Sequence, residues 1–439
     1  MTALVAAALA LFGIAGARAQ APTAESQGLF QKTSPLVFQV KTAVTADAPK
    51  ASYGSGFVVA KGGILATNYH VVAEAVQRPE NYKMFVVVQG AVHEARVVAV
   101  DVIHDLALVK LPIPFDAELA LRADAPRTGD KLYSVGIPHD LNLSIVEGLY
   151  NGVVSHAGYE QIQMSTPINP GMSGGPTLSS DGLVAGVNVA VMVGSQNLTF
   201  GVPVRHLSSL LESWKAAPLE GKTPEDARAA TQAAIEKQLL QAQAALADDW
   251  RGVGQERAEM GEWRFRKPPP ALKCWLNKVD DKMRDDERQF EVAIQICSLA
   301  EHATIRSDFR TAYYWMGMRT VKNLRLNRFQ FSTAIDASYN DKMDHLVFSE
   351  SPFREGRQDT TRYDCGERVV VNSHGVPFKM NYCLRGYYKY KTIFDVRAKF
   401  VTLAPIRGQA LVGSLMLSGL TLPNASLLVR DLVESVEAR

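Results

Sequence analysis

A hydroxyl, an imidazole and a carboxylate lie far apart in this chain, each in a context that suits acyl transfer. Ser173 sits in Pro167-Ile168-Asn169-Pro170-Gly171-Met172-Ser173-Gly174-Gly175-Pro176. Glycines on either side let the backbone approach a substrate closely and take torsions closed to other residues. Acyl transfer at an amide needs a hydroxyl nucleophile, a base beside it, and backbone N–H donors aimed at the developing oxyanion. Gly171 and Ser173 could supply two such donors from one tight loop. Alone, the stretch also reads as a plain turn, because Asn-Pro-Gly and Ser-Gly-Gly both mark loops.

His70 ends the apolar strand Ile64-Leu65-Ala66-Thr67-Asn68-Tyr69-His70-Val71-Val72. Imidazole is the side chain best suited to taking a proton near neutral pH, although a core histidine beside a strand has the same appearance. Asp105 heads a second apolar run, Asp105-Leu106-Ala107-Leu108-Val109-Lys110. A carboxylate there is awkward without a partner, and accepting a bond from the imidazole would fix its tautomer. The bland reading of Asp105 is a turn residue at a strand entry. Asp101 is the weaker alternative orienter, and strand geometry would turn His104 to the face opposite Asp105.

The elements that must position these groups are short strands. From about Ser34 to Leu211 apolar runs such as Leu36–Val40, Phe85–Val88, Ala95–Val100 and Leu106–Val109 are broken by glycine and polar turns. Many short strands at this spacing indicate an antiparallel sandwich or barrel. No long helical period interrupts them, which disfavours an α/β-hydrolase, and the serine lacks that fold's Gly-x-Ser-x-Gly elbow.

At 439 residues the chain exceeds one typical core, so about two or three domains are expected. Composition is that of a globular protein, and a net charge of +2 gives no basic bias of the kind nucleic acid or anionic membrane binding would need. Residues 3–16 form a short apolar run followed by Ala17-Arg18-Ala19. This reads as a secretory signal over residues 1–19, too short to span a bilayer, although no basic residue precedes it. The expectation is a periplasmic or secreted protein with no stable membrane span after cleavage.

The four cysteines all lie late in the chain. Cys274 and Cys297 are equidistant from Asp285-Asp286, and Cys365 and Cys383 from His374. Residues equidistant from a hairpin turn lie opposite one another. Cys274–Cys297 and Cys365–Cys383 therefore read as cross-strand disulfides, which suit an oxidising compartment. No Cys-x-x-Cys spacing or histidine pair supports zinc, so neither metal nor cofactor is expected.

The order His70, Asp105, Ser173 is the triad order of chymotrypsin-type barrels. Residues about 34–211 resemble the chymotrypsin-fold serine proteases, and within them the HtrA/Deg-type branch. The resemblance rests on Gly54-Ser55-Gly56-Phe57-Val58, Thr67–Val72, Asp105–Lys110, Asn169–Pro176 and the later Phe200-Gly201-Val202-Pro203. It implies His70 as base, Asp105 as its orienter, Ser173 as nucleophile, and the N–H groups of Gly171 and Ser173 as oxyanion hole. Trypsin-like enzymes carry an acid six residues before the serine, where this chain has Pro167. With Leu198 and Thr199 shaping the pocket, cleavage is expected after small or medium apolar residues. No PDZ pattern follows Leu211, so peptide-controlled activation is not carried over.

The expected architecture is mainly β: a chymotrypsin-like double β-barrel over 30–213, a linker with an amphipathic helix over 214–270, and a β-rich, disulfide-containing domain with a C-terminal helix over 271–439. Thr223-Pro224-Glu225-Asp226 opens the linker helix, whose stripe Ile235, Leu239, Ala242, Leu246 and Trp250 is expected to pack against the same chain. Further strands are expected at Phe290–Cys297, Thr311–Met318, Arg328–Ile335, Val369–Val371, Phe378–Cys383 and Thr392–Phe400, with a long loop over Asp336–Arg362. The tyrosines of Tyr387-Tyr388-Lys389-Tyr390 suit either a recognition face or cross-strand packing. The function expected is an exported serine endopeptidase acting on polypeptides, unfolded or misfolded proteins among them. The alternatives are a protease-fold binding protein without activity, or a surface-binding module carrying a secondary protease. Oligomeric state is not legible.

Overall fold

The computed structural model describes residues 23–156, 159–189, 199–218, 222–254, 256–279, 289–299, 303–306, 309–340 and 359–439. The signal-like segment 1–19, Leu198 and most of the loop expected over Asp336–Arg362 lie outside the described residues.

After a first helix, α1 (Ala24–Thr33), six strands close a barrel: β1 (Val37–Ala43), β2 (Lys50–Ala60), β3 (Ile64–Thr67), β4 (Lys83–Val88), β5 (Ala91–Asp101) and β6 (Leu106–Lys110). Their order around the barrel is β1-β2-β3-β6-β5-β4. Helix α2 (Tyr69–Gln77) leaves the end of β3. A second closed barrel holds β7 (Lys131–Gly136), β8 (Ser144–His156), β9 (Tyr159–Met164), β10 (Pro176–Ser179), β11 (Val184–Val189) and β12 (Thr199–Pro203), in the order β10-β11-β12-β9-β8-β7. Closure removes exposed strand edges, and the β-branched runs seen in the sequence fill the interior. Phe57, Leu65, Ala66, Leu108 and Val109 are fully buried in the first barrel, and Leu132, Met164 and Leu178 in the second.

Helix α3 (Val204–Ala216) follows β12 and is succeeded by the long α4 (Pro224–Gly252). Thr223 caps α4 as its sequence implies, its hydroxyl accepting the Asp226 N–H at 3.1 Å. The apolar stripe of α4 divides between two cores. Ile235 and Leu239 pack with the first barrel, whereas Leu246 and Trp250 pack with the C-terminal half. Nor are residues 214–270 simply a linker with a helix. Strands β13 (Arg257–Met260) and β14 (Trp263–Arg266) form a hairpin within this stretch.

The C-terminal half is built on a seven-stranded antiparallel sheet. Its strands are β15 (Leu272–Val279), β16 (Phe290–Leu299), β19 (Tyr313–Asn323), β20 (Asp364–Val371), β21 (Pro377–Gly386), β22 (Phe394–Thr402) and β23 (Gln409–Leu420), ordered β15-β16-β19-β23-β22-β21-β20. The short hairpin β17 (Ala303–Arg306) and β18 (Phe309–Thr311) stands off it between β16 and β19. Cys274 faces Cys297 across β15–β16 and Cys365 faces Cys383 across β20–β21, and both pairs are disulfide-bonded. The two bridges therefore tie the outermost strands at both edges of the sheet.

Every residue of the central strand β23 is buried, so both sheet faces are covered there. On one face Leu411, Leu415 and Leu417 meet α4, the β13–β14 hairpin and the last helix, α6 (Leu422–Glu434). A final strand, β24 (Glu437–Ala438), pairs with β14 and draws the expected linker into this half. On the other face Val412 and Val401 meet α5 (Arg328–Tyr339). This helix replaces the strand expected at Arg328–Ile335. Asn327 accepts the N–H groups of Phe329 and Gln330, while the Gln330 side chain accepts the Asn327 N–H, a capping box that starts a helix whatever the β-propensity of the residues behind it.

Candidate active site

The expected strand around His70 stops at Thr67, and His70 falls in the first turn of α2. A helix start leaves orphan N–H groups. The Asn68 side chain at the N-cap makes no capping bond, and Asp105 supplies it from another segment. One Asp105 carboxylate oxygen accepts the His70 backbone N–H at 2.8 Å, and the other lies 2.6 Å from His70 Nδ1. The Asp105 carbonyl accepts from Tyr69 N at 3.0 Å and from Asn68 Nδ2 at 2.9 Å. Asp105 itself has φ +55°, the left-handed region that aspartate enters more readily than most residues. One carboxylate thus caps the helix and orients its imidazole.

Burial lowers the pKa of His70, but the Asp105 charge and hydrogen bond outweigh it, and the net shift is upward from 6.5. The ring is 34% exposed and remains open to a substrate. Asp101, the alternative orienter, does not reach His70. Its carboxylate accepts the N–H groups of Ile103 and His104 and pairs with His104 Nδ1 at 2.7 Å. His104 lies in the turn before β6, where its ring stacks on His206 of α3 with centroids 3.7 Å apart.

Ser173 is packed against the same region. Its carbonyl accepts the Ser55 N–H at 2.7 Å. The next residue, Gly174, has φ +85°, and a Cβ there would lie 2.3 Å from both the Ser55 carbonyl and Thr67 Oγ1 and 2.9 Å from Asn68 N. Only glycine lets the serine loop lie directly on the segment that leads into His70. Among the described residues, no hydrogen bond links Ser173 Oγ to His70.

The loop before Ser173 is held in one orientation. Gly171 has φ +99°, and a Cβ there would lie 2.5 Å from the Ile137 carbonyl. The Pro170 carbonyl accepts the His139 N–H at 2.9 Å. In a trans peptide the following N–H points the opposite way, so Gly171 N–H is turned away from His139. Ser55 Oγ donates to the Gly171 carbonyl at 2.7 Å and accepts Ile137 N–H at 2.9 Å. Among the described residues, nothing accepts the N–H groups of Gly171 or Ser173.

Ser55, Asn68 and His139 were not singled out as site residues from sequence. Ser55 and Asn68 stand inside motifs that carry the family resemblance, whereas His139 has no sequence signal. Of the expected pocket residues, Pro167 is exposed, and Thr199 is buried with its hydroxyl donating to the Thr166 carbonyl at 2.5 Å. Asn188 ties the loop from beneath. It donates to the Val135 carbonyl, and its own carbonyl accepts Gly174 N–H.

Burial, with His104 and Arg205 close by, pushes the His206 imidazole down to about 4, against the pull of Asp101 and Glu160. The unfolded ring takes its proton near pH 6.5, so stability is lost as pH falls from there toward about 4, by roughly 3 kcal/mol in full. His206→Phe keeps an aromatic ring on His104 but cannot titrate. Its urea-unfolding free energy should fall less steeply than that of the parent between pH 7 and 4.5, and equal slopes would refute this.

Two six-stranded barrels, with an imidazole–carboxylate pair on one and a glycine-held serine loop packed on the segment that leads into that imidazole, define the chymotrypsin class of serine hydrolase folds. Residues 54–187 match the trypsin-like peptidase domain family. Serine protease HTRA4 of Mus musculus is 30% identical over 215 residues, covering 46% of this chain and 41% of its own length. A probable periplasmic serine endoprotease, DegP-like, of Chlamydia muridarum is 35% identical over 156 residues, covering 32% of this chain and 29% of its own. The solved structure of Deg5 aligns over 43% of this chain and 93% of that one at 27% identity, with a TM-score of 0.38. Over its N-terminal part, then, the chain has the chymotrypsin-type double barrel and is similar to serine proteases of the HtrA type. It spans well under half the length of these curated relatives.

Proposed function

We propose that the protein is an exported serine endopeptidase. Ser173 Oγ attacks the scissile carbonyl while His70 Nε2 takes its proton. Asp105 keeps the other ring nitrogen protonated and stabilises the imidazolium. The N–H groups of Gly171 and Ser173 receive the oxyanion, and His70 returns the proton to the leaving amine. Water then repeats the sequence on the acyl-enzyme, with no cofactor. The observation that carries this reading is the pair of unpartnered N–H groups beside a serine packed on the segment of an Asp-oriented histidine.

An uncharged residue, Pro167, where trypsin-like enzymes carry an acid supports cleavage after small or medium apolar residues. The two disulfides and the apolar segment 3–16 support a periplasmic or secreted location. No described helix is long and apolar enough to cross a membrane. Polypeptides, unfolded proteins among them, are the substrates of this reading.

One observation favours a second reading, a binding protein on a protease fold: the hydrogen bond from Ser173 to His70 is not made among the described residues. Such bonds often tighten only when substrate is bound. Treatment with a phosphonofluoridate separates the two readings. Stoichiometric phosphonylation of Ser173 with loss of fluoride, prevented by His70→Ala, is expected of the endopeptidase. An unlabelled but folded protein would leave the binding role.

A further inference from the structure

The C-terminal half touches the segments that carry His70 and Asp105, at one hydrogen-bonded glutamine on each. On the Asp105 side, Gln238 of α4 receives the Val102 N–H at 2.7 Å and donates to the Val100 carbonyl at 2.9 Å. These residues flank Asp101 at the end of β5, where the chain enters the turn that delivers Asp105 in its left-handed conformation. A single side chain of the helix shared by both cores thus satisfies the backbone at the base of that turn.

On the His70 side the contact is made at Gln77, the last residue of α2. Its side-chain oxygen accepts from Tyr390 Oη at 3.0 Å and Lys389 Nζ at 3.3 Å, and its backbone carbonyl accepts from the same Lys389 at 3.2 Å. Its amide nitrogen donates to Tyr69 Oη at 2.9 Å. Tyr69 is fully buried, adjoins His70, and gives its backbone N–H to the Asp105 carbonyl. Around these bonds Ile305, Phe309, Tyr387, Tyr390 and Ile393 share one continuous core with the first barrel. Phe309 stacks on Tyr387 with centroids 4.2 Å apart. Tyr387 is anchored in turn by the buried Asp395, which also pairs with Arg385.

We infer that the C-terminal half sets the spacing of the His70–Asp105 pair, with Gln238 and Gln77 as the positioning residues through which it acts. The inference rests on the reading of that pair as catalytic. Its physical content is that a helix N-terminus and a strained turn must be held against one another to a fraction of an ångström. A misplacement of about 1 Å in such a constellation costs on the order of a hundred-fold in rate. Neither glutamine touches substrate in this account, so their removal should lower kcat and leave KM unchanged.

The test uses the full-length protein and two variants. Gln238→Leu removes both bonds at Val100 and Val102 at nearly constant volume. Tyr390→Phe keeps the ring in its core and removes only the hydroxyl on Gln77, so it decides the matter should Gln238→Leu fail to fold. Phe329→Ser, at a position 85% exposed on the C-terminal half, is the control. With active sites counted by phosphonofluoridate titration, kcat per site and the labelling rate should each fall about ten- to a hundred-fold for Gln238→Leu. Tyr390→Phe should show a smaller fall of the same kind, KM should not move, and the control should match the parent. Parental kcat per titrated site in a folded Gln238→Leu, or in Tyr390→Phe where the first does not fold, would overturn the inference alone. A parent that neither labels nor cleaves would overturn the catalytic reading beneath it.

Discussion

Replacing Ser173 with alanine is expected to lower turnover of an unfolded polypeptide by about a million-fold, the scale of loss on removing the nucleophile from such a triad. The substitution deletes one oxygen that makes no hydrogen bond among the described residues. The backbone contacts that seat the loop, Ser173 carbonyl to Ser55 N–H and Asn188 carbonyl to Gly174 N–H, are kept. Stability should therefore change by no more than about 0.5 kcal/mol, and a fluorogenic or gel-based cleavage assay on folded protein gives a clean reading. Equal cleavage with and without the hydroxyl would end the serine-protease assignment.

Asp105→Asn carries the second largest effect, about ten-thousand-fold in kcat. The amide oxygen can still accept the His70 backbone N–H, so the cap on α2 survives. Its NH2 group then faces Nδ1 and forces the ring proton onto Nε2, the nitrogen that must accept from Ser173. The charge that raises the His70 pKa is also lost, leaving burial, which lowers it. The base is neutral only above its pKa, so the acidic limb of kcat/KM should move to lower pH in the variant as the maximum collapses. A pH–rate profile of parent and variant measures both. An unshifted limb, or a loss below ten-fold, would show that Asp105 does not govern the imidazole.

The barrels, and the residues proposed to do their chemistry, were legible because they are written locally. Apolar runs of strand length, a histidine and a carboxylate beside two of them, and a serine among glycines could each be read within a few residues. The disulfides were legible for the same reason, since equal distance from a turn fixes cross-strand partners. Asp101 and Asp105 could not be separated so cleanly. Only the fold reveals that the first is used by His104 and the second by the orphan N–H groups of α2. Ser55 and His139 escaped because each acts on a peptide more than thirty residues away, Ser55 from the other barrel and His139 from within the same one. The Asn327–Gln330 capping box is as local as these, but the strand expected at Arg328–Ile335 rested on the β-like residues behind it alone. Tyr387 and Tyr390 suggested cross-strand packing or a recognition face, whereas their rings join a core shared with the barrel that holds His70.

An open sheet ends in two rows of unpaired backbone groups, and each outermost strand here is fastened to its neighbour by a covalent bridge. In a thiol-reducing milieu β15 and β20 would keep only hydrogen bonds and side-chain packing, losing about 3 kcal/mol of constraint apiece. Frayed, they would offer templates to a neighbouring molecule's strands. The placement of these bridges makes the chain safest from self-association where oxidants are plentiful, and its hazard greatest during any delay before reaching such a place.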